Sequence, residues 1–444
     1  MKRVSIIGFG RFGKTLYKLL RDDFEILIYD RGDLNTDSIN LSSNTTISSS
    51  LTDVYNSELI FFCIPISAFE SVIKKHKKYF NINNILIDVL SVKTYPKNIF
   101  LKYLKKTEYQ ALLTHPMFGP NSSKNGFVGL PIVLDKFRTN TKNYEFLKKY
   151  FLSKKLNVYE ISTDEHDRLA AQSQGLTHFI GRLLQDLKFK KTPFDSLGTK
   201  KLHEVTEQTV NDTWQLFSDL QTYNPYTKRM RYQLGKSYHK LFNQLIPAKV
   251  NDKYTIFGVQ GGKGSFNEQA VLEYIEKIKI QKYKIKYLFT SEKVLANLNL
   301  GNIDYGLIAI ANSTGGIVEE SIQSLAKYRS QVTADFQILI QHYLIKKQGV
   351  ELSKVDTIIA HPQVFAQCKN TLEKYYSKYK LFSGEGDLLD TAKAAEYLSL
   401  GRLTDNFAVL GSKKIAEIYN LEIVAENLQD KTDNLTRFLL LKRV

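Results

Sequence analysis

The chain has only two cysteines in 444 residues, Cys63 and Cys368. Their wide separation excludes a disulfide framework and a cysteine-built metal cluster as organising devices. No apolar run reaches the roughly 18 residues needed to cross a bilayer. The first residues, Met1-Lys2-Arg3-Val4-Ser5-Ile6-Ile7-Gly8, pass straight into a strand pattern and lack the apolar core and cleavage site of a signal peptide. Zinc-finger spacings, RNA-recognition motifs, short-period repeats and low-complexity tracts are also missing. Acidic residues are scarce relative to basic ones, 45 against 62, for a net charge of +17. Such an excess can serve nucleic acid or an anionic membrane. Here the lysines are scattered, and the densest cluster is Lys74-Lys75-His76-Lys77-Lys78. A solvated surface accounts for them without a nucleic-acid or membrane partner. The absences together point to a cytoplasmic enzyme with no metal centre.

What is present is α/β. Val4–Ile7 reads as an apolar strand, Gly8-Phe9-Gly10-Arg11-Phe12-Gly13 as a turn, Thr15–Leu20 as a helix and Glu25–Tyr29 as a second strand. Apolar runs at Leu59–Ile64, Ile85–Val89, Ala111–Leu113 and Pro131–Leu134, with helical stretches between them, predict a mainly parallel sheet covered by helices. From about Ser162 to Leu245 the texture is helical, and Ile246-Pro247-Ala248-Lys249-Val250-Asn251-Asp252 reads as a linker. The βα rhythm then restarts at Tyr254-Thr255-Ile256-Phe257. The expected domains are 1–160, 161–246 and 253–444.

Gly8, Gly10 and Gly13 form GxGxxG between a strand and a helix, the context in which it binds a dinucleotide. The first glycine permits the tight turn, the second lets a pyrophosphate approach the backbone, and the third lets helix and strand pack closely. The helix N-terminus offers N–H groups and a positive dipole end. Phe9, Arg11 and Phe12 complete the expected cradle. Asp30, at the end of the second strand, is placed to bind ribose hydroxyls and repel a 2′-phosphate, which favours NAD. Arg31 beside it could pair with that phosphate, so NADP is the alternative.

Further along stand Ser91-Val92-Lys93, His115-Pro116-Met117-Phe118-Gly119-Pro120 and Glu165-His166-Asp167. They are followed by Ala170-Ala171-Gln172-Ser173-Gln174-Gly175-Leu176-Thr177-His178 and Thr213-Trp214-Gln215-Leu216-Phe217. With these motifs residues 1–240 resemble the prephenate/arogenate dehydrogenases, closest to the plant-like arogenate branch. The resemblance implies a Rossmann domain followed by a helical segment that forms a homodimer. It implies His115 as the base that takes the substrate hydroxyl proton, a task suited to a neutral imidazole, with Ser91 near the same hydroxyl. His166 and His178 lie 12 residues apart, about 120° in azimuth on a straight helix, so one pocket would not take both. The family pattern favours His178. For the substrate carboxylates the expected cation is Lys200, in Thr199-Lys200-Lys201.

The second half carries Gly262-Lys263-Gly264-Ser265-Phe266-Asn267-Glu268-Gln269, Asp304-Tyr305-Gly306, Asn312-Ser313-Thr314-Gly315-Gly316, His361-Pro362-Gln363, Gln367-Cys368 and Asp433-Asn434-Leu435-Thr436-Arg437-Phe438. In this order they resemble the prephenate dehydratase catalytic domain, a two-lobed fold like the periplasmic-binding proteins. That implies one lobe from 253–330 and 425–444 and another from 331–424. It implies Thr436 as the hydrogen donor to the departing hydroxyl, with Asn312, Ser313, Gln367 and Arg437 binding substrate. Two positions depart from the pattern: Ala311 stands where the family has an acidic residue, and Ala360 where it has serine. The expected domain set does not include the regulatory ACT domain that commonly follows this fold in the family. The expected protein is a bifunctional enzyme of tyrosine and phenylalanine synthesis. Its alternative is a dehydrogenase with a ligand-sensing second half, and prephenate and arogenate both stay open as substrate.

Overall fold

The computed structural model describes residues 2–32 and 40–444, except for the side chain of Asp387. Two compact units divide the chain, Met1–His239 and Lys240–Val444. Among the described residues no helix is long and apolar enough to cross a membrane.

Unit 1 is built on eight strands: β1 (Arg3–Ile7), β2 (Glu25–Tyr29), β3 (Thr45–Ile47), β4 (Leu59–Phe62), β5 (Ile85–Asp88), β6 (Gln110–Pro116), β7 (Pro131–Asp135) and β8 (Asn157–Glu160). Their order is β3-β2-β1-β4-β5-β6-β7-β8, parallel throughout except for the β6–β7 pair. Strands β4 and β5 are buried along their whole length, as a sheet covered on both faces requires. The strand order reverses at β1 and β4, so a crevice opens beyond their carboxyl ends, where nucleotides bind in such sheets. Strands β3 and β8 escaped the sequence reading. They are edge strands with exposed positions, so they lack the apolar run that marks the others.

The helical segment does not stand apart as a separate domain. Leu220 joins the core formed by Ile7, Phe62 and Leu86. Asp219 Oδ2 accepts from Ser67 N and Oγ, both at 2.9 Å, and Asp167 accepts from Lys93 N at 2.7 Å and Thr94 N at 2.8 Å.

Unit 2 has two sheets. The first contains β9 (Thr255–Val259), β10 (Tyr283–Tyr287), β11 (Tyr305–Asn312), the short β12 (Gly316–Ile317), β13 (Gln331–Leu339) and, at the chain end, Leu435–Lys442. The second contains β14 (Tyr343–Lys347), β15 (Thr357–Ile359), β16 (Lys380–Phe382), β17 (Phe407–Gly411) and β18 (Leu421–Ala425). Calling the final strand β19, the orders are β10-β9-β11-β19-β13 and β16-β15-β17-β14-β18. The expected lobe boundary at residue 330 is therefore too early. Strand β13 pairs along its length with β19, so the first lobe runs to about Leu339. Two segments cross between the lobes side by side: Ile340 N donates to the Asn434 carbonyl at 2.8 Å and Leu428 N to the His342 carbonyl at 3.0 Å. The expected linker is an ordered strap on this unit, with Val250 N bonded to Asp304 Oδ1 at 2.8 Å and the Pro247 carbonyl to Arg443 at 2.8 Å.

Candidate active sites

The glycine turn of unit 1 has the geometry its sequence promises. Gly8 has φ +94°, and a Cβ there would strike the Cys63 carbonyl; one on Gly13 would strike the Gly8 carbonyl. A Cβ on Gly10 would meet nothing within 4 Å, so the space in front of the helix Arg11–Leu20 is open. That is the cradle a pyrophosphate needs. Asp30 Oδ2 accepts from Phe9 N at 2.7 Å and its Oδ1 from Gly32 N at 3.2 Å, so the carboxylate also braces the turn. This occupies the Phe9 amide, and the Phe9 ring is buried against Tyr17, which removes Phe9 from direct cofactor contact. Phe12 leans on Phe118, and Arg31 is exposed. Arg11 donates to the Asn211 carbonyl at 2.7 Å and lies 3.3 Å from Asp212.

His115 ends β6, fully enclosed, with Nδ1 2.8 Å from His166 Nε2. His166 is set in place by the helix Thr163–Ala170, which Ser162 caps by accepting from Glu165 N. Its Nδ1 lies 2.8 Å from Asp167 Oδ1. Asp167 is anchored in turn, Oδ1 accepting from Lys93 N at 2.7 Å and Oδ2 from Thr94 N at 2.8 Å. This chain has only one consistent polarity. A carboxylate only accepts, so His166 Nδ1 carries the proton and its Nε2 is an acceptor. His115 Nδ1–H must therefore donate to it, and His115 Nε2 is left with a bare lone pair. Burial, His166 and the Lys93 ammonium, in that order, hold His115 well below the usual imidazole range. It is a neutral base of fixed tautomer.

Beneath it Lys93 Nζ, completely buried, pairs with Asp88 and donates to the Thr114 carbonyl. Burial pushes the Asp88 carboxyl up and the Lys93 ammonium down, each resisted by the other's charge. Taking away either partner leaves a buried unpaired charge, a loss of about 3–5 kcal/mol.

The sequence named His178 as the second histidine; it is His166 that the structure joins to His115. The straight-helix premise fails because Ala171–Gly175 is a π turn. Its i→i+5 bonds advance the chain more slowly in azimuth, which rotates the following helix, Leu176–Asp186, relative to the first. His178 is buried with Nε2 3.9 Å from Asp212 Oδ2, which ties it to the residue that also faces Arg11. Its Nδ1 is buried without a partner. Lys200 lies exposed on the helix Leu197–Val210 and is not brought to this cluster by any described contact. The cation at hand is Arg182, one turn beyond His178, stacked over Trp214 and Phe217 and bonded to the Asp212 carbonyl at 2.6 Å. Ser91 is half-buried in the turn after β5, two residues before Lys93. None of the described side-chain hydrogen bonds joins it to His115.

In unit 2 a cavity of about 400 Å³ opens between the lobes, lined by Ser265, Asn312, His342, Gln367, Asp390 and Thr436 among others. Asn312 Oδ1 accepts from Thr314 N at 2.9 Å and Gly315 N at 2.7 Å, so its Nδ2 must be the donor on the other side. That nitrogen donates to Asn434 Oδ1 at 2.6 Å and to Thr436 Oγ at 2.9 Å. Thr436 Oγ is thereby an acceptor, and its own proton is free to point into the cavity. Gln367 Oε1 accepts from Asn434 Nδ2 at 2.8 Å and from His342 Nε2 at 2.7 Å, closing the network. Asn434 and His342 carried no role in the sequence reading.

Two expectations are corrected here, and one departure from the family pattern is located. Strand alternation turns Arg437 to the face opposite Thr436, where it pairs with Asp335 rather than lining the cavity. Ser313 is exposed and clamps the chain by accepting from Leu435 N at 2.9 Å. Ala360 is buried in the second-lobe core beside Ile358 and Val364, away from the cavity lining.

Unit 1 thus sets a neutral histidine of fixed tautomer at the end of a Rossmann-type sheet, and unit 2 turns a threonine hydroxyl toward the cleft between its lobes. Residues 21–160 match the family model of the prephenate dehydrogenase nucleotide-binding domain, residues 257–444 that of prephenate dehydratase, and residues 183–254 that of the TYRAAT1-like C-terminal domain. Unit 1 therefore carries the match to the first of these models and unit 2 the match to the second. Chloroplastic arogenate dehydrogenase 2 of Arabidopsis thaliana is 29% identical over 279 residues, 61% of this chain and 77% of that one. The bifunctional chorismate mutase/prephenate dehydratase of Buchnera aphidicola subsp. Acyrthosiphon pisum is 32% identical over 202 residues, 45% of this chain and 49% of that one. The chain thus spans about half the length of the latter. The prephenate dehydrogenase from A. aeolicus solved with hydroxyphenyl propionate and NAD+ aligns at 18% identity and TM-score 0.44, over 63% of this chain and 96% of that one.

Proposed function

We propose that the protein is a bifunctional enzyme of aromatic amino-acid synthesis. Unit 1 oxidatively decarboxylates prephenate or arogenate toward tyrosine, and unit 2 dehydrates and decarboxylates the same ring toward phenylalanine. One observation carries the first half: the Asp167–His166–His115 chain leaves His115 Nε2 as an unprotonated acceptor in a water-poor site.

The substrate hydroxyl at C4 gives its proton to His115 Nε2. The C4 hydride leaves, and the pair from the breaking C1–carboxylate bond enters the ring as carbon dioxide departs. Bound NAD supplies the hydride acceptor. Gly8, Gly10 and Gly13 shape its cradle, Arg11 stands at the helix N-terminus, and Asp30 favours a ribose diol over a phosphate. As His115 gains charge, His166 and Asp167 stabilise the imidazolium. Ser91 lies at the same carboxyl edge of the sheet, and His178 with Arg182 flanks the nucleotide turn.

In unit 2 the Thr436 hydroxyl donates to the departing C4 oxygen, while the pair from the C1–carboxylate bond moves through the ring. Asn312 keeps that hydroxyl pointing outward, and Gln367 holds the amide network. A donor aimed where negative charge develops contributes about 3–4 kcal/mol to such a step.

A homodimer through the helical segment accords with its exposed Leu187, Phe194, Leu197 and Trp214, apolar surface that a lone subunit would leave in water. A cytoplasmic location accords with a chain whose described helices cannot span a membrane.

The test is assay of the purified chain on both substrates, following NADH in one arm and phenylpyruvate or phenylalanine without nucleotide in the other. His115→Asn should bind nucleotide normally and lose about 10²–10⁴ in dehydrogenase turnover. Near-normal turnover would remove His115 from the mechanism.

A further inference from the structure

The cavity of unit 2 has the wrong charge for a keto-acid dianion. Among its described lining residues the formal charges are Lys293, Glu320 and Asp390. The two lining histidines add none, since burial pushes His342 down to about 4 and lowers His361. On formal charges the lining is therefore net negative.

Of its two carboxylates, Glu320 is engaged, Oε1 accepting from Ser291 N at 2.8 Å and Oε2 facing Gln260 Nε2 at 3.4 Å. Asp390 is only half engaged. Its Oδ1 caps the helix Thr391–Ser399, accepting from Ala392 N at 2.7 Å and Lys393 N at 3.3 Å. Its Oδ2 is buried with no hydrogen-bond partner. It faces Gly261 and Gly262 of the glycine turn in the opposite lobe, where a Cβ on either would come within 4 Å of it. Burial raises the Asp390 carboxyl above the usual carboxylate range, opposed by the Ala392, Lys393 and Gly262 amides and the Lys393 charge, and an ammonium partner would favour its ionised form. Lys393, the nearest lysine in sequence, is paired with Glu396 at 2.7 Å. A buried carboxylate oxygen without a partner is costly, and buried polar atoms in native folds are almost always satisfied. Among the described residues none donates to it, and a ligand in the cavity can.

We propose that Asp390 recognises an ammonium group on the ligand, so that unit 2 takes arogenate and releases phenylalanine directly. The inference rests on the dehydratase reading above and adds the substrate form. Prephenate carries a keto oxygen where arogenate carries its ammonium. Against Asp390 Oδ2 that oxygen sets acceptor against acceptor, whereas the ammonium supplies three donors. The reaction balances as before: the C4–O bond breaks, the leaving hydroxide departs as water once protonated, the C1–carboxylate pair enters the ring, and the ammonium is untouched.

Asp390→Asn keeps the helix cap, because the amide oxygen still accepts, and removes the charge. In the full-length chain the wild type should prefer arogenate over prephenate by at least about tenfold in kcat/KM, the size expected of one hydrogen bond to a charged group. The variant should lose about 10–100-fold on arogenate and stay within about threefold on prephenate. Titration with L-phenylalanine and with 3-phenylpropionate, which differ by the ammonium, needs no turnover. The wild type should bind phenylalanine the more tightly, and the variant should bind the two alike. Wild-type ratios alone test the proposal if the variant does not fold. A wild type that prefers prephenate and 3-phenylpropionate overturns it. So does a variant that loses equally on both substrates, which would make Asp390 a general structural group. If neither substrate is turned over while the titration shows the Asp390-dependent preference, the dehydratase reading fails and the ammonium site stands.

Discussion

Replacing His166 with Leu keeps an apolar side chain of similar breadth in a buried site but takes away the acceptor for His115 Nδ1–H. The neighbouring groups survive the change, because Asp167 still accepts from the Lys93 and Thr94 amides. In the ground state the lost bond joins two neutral rings. In the transition state His115 has become an imidazolium, and a hydrogen bond from a charged group contributes about 1.5–3 kcal/mol. At 1.36 kcal/mol per tenfold, kcat should fall by about 10–150-fold. A second loss adds to this, since nothing then holds the proton on Nδ1. In a Ser-His-Asp triad the wrong tautomer costs as much as about 10⁴. We expect a fall near 10² in NADH formation at saturating substrate, with dinucleotide affinity unchanged. His166→Gln supplies an amide oxygen as acceptor and should recover most of the rate. A Leu variant within threefold of wild type, or a Gln variant as slow as Leu, would refute the relay.

Three further outcomes follow from the same geometry. Asp30→Ser should narrow the preference for NAD over NADP by relieving repulsion of a 2′-phosphate, and should weaken both cofactors because the brace on Phe9 N is lost; a wild type that prefers NADP would make Arg31 the reader. Asn312→Asp replaces the donor to Thr436 with an acceptor, so the threonine proton turns inward; dehydratase turnover should fall by about 10²–10³, the cost of one oxyanion-type donor, while the dehydrogenase rate in the same sample holds. Ala360→Ser, which family resemblance alone would credit with restoring activity, should give no rate gain and should lower stability by about 1–3 kcal/mol in thermal unfolding, because the hydroxyl enters a closed apolar core.

The fold was largely readable where burial leaves a periodic trace. Strands β4 and β5 are buried at every position because helices cover both faces, and the glycine turn is marked by Gly8 and Gly13, which admit no Cβ. Edge strands β3 and β8 leave no such trace. Nor does the boundary between the lobes of unit 2. Strand β13 is largely exposed, and its pairing with β19, about a hundred residues later, assigns it to the first lobe. The π turn at Ala171–Gly175 is a different kind of failure. Counting 100° per residue is sound for an α-helix, and no residue in Ala-Gln-Ser-Gln-Gly announces the change of pitch.

The sites show why residue types can be read from sequence while their roles cannot. His115 and Thr436 can be picked out from sequence as groups suited to the proposed chemistry, yet either is useful only in one orientation of its proton. That orientation is inherited. Backbone amides of Lys93 and Thr94 fix Asp167, Asp167 fixes His166, and His166 fixes His115, across 73 and 51 residues of sequence. Likewise the amides of Thr314 and Gly315 fix Asn312, which fixes Thr436 across 124 residues. In both cases the anchor is a backbone N–H, a donor whatever the side chain, so the polarity of the chain belongs to the fold rather than to any motif. Arg437 shows the converse. It lies inside the most specific motif of the second half, next to Thr436, and alternation along one strand sends it to the opposite face. A motif therefore marks the strand that carries the chemistry; which of its residues acts is decided by the face each one occupies and by the donors waiting there.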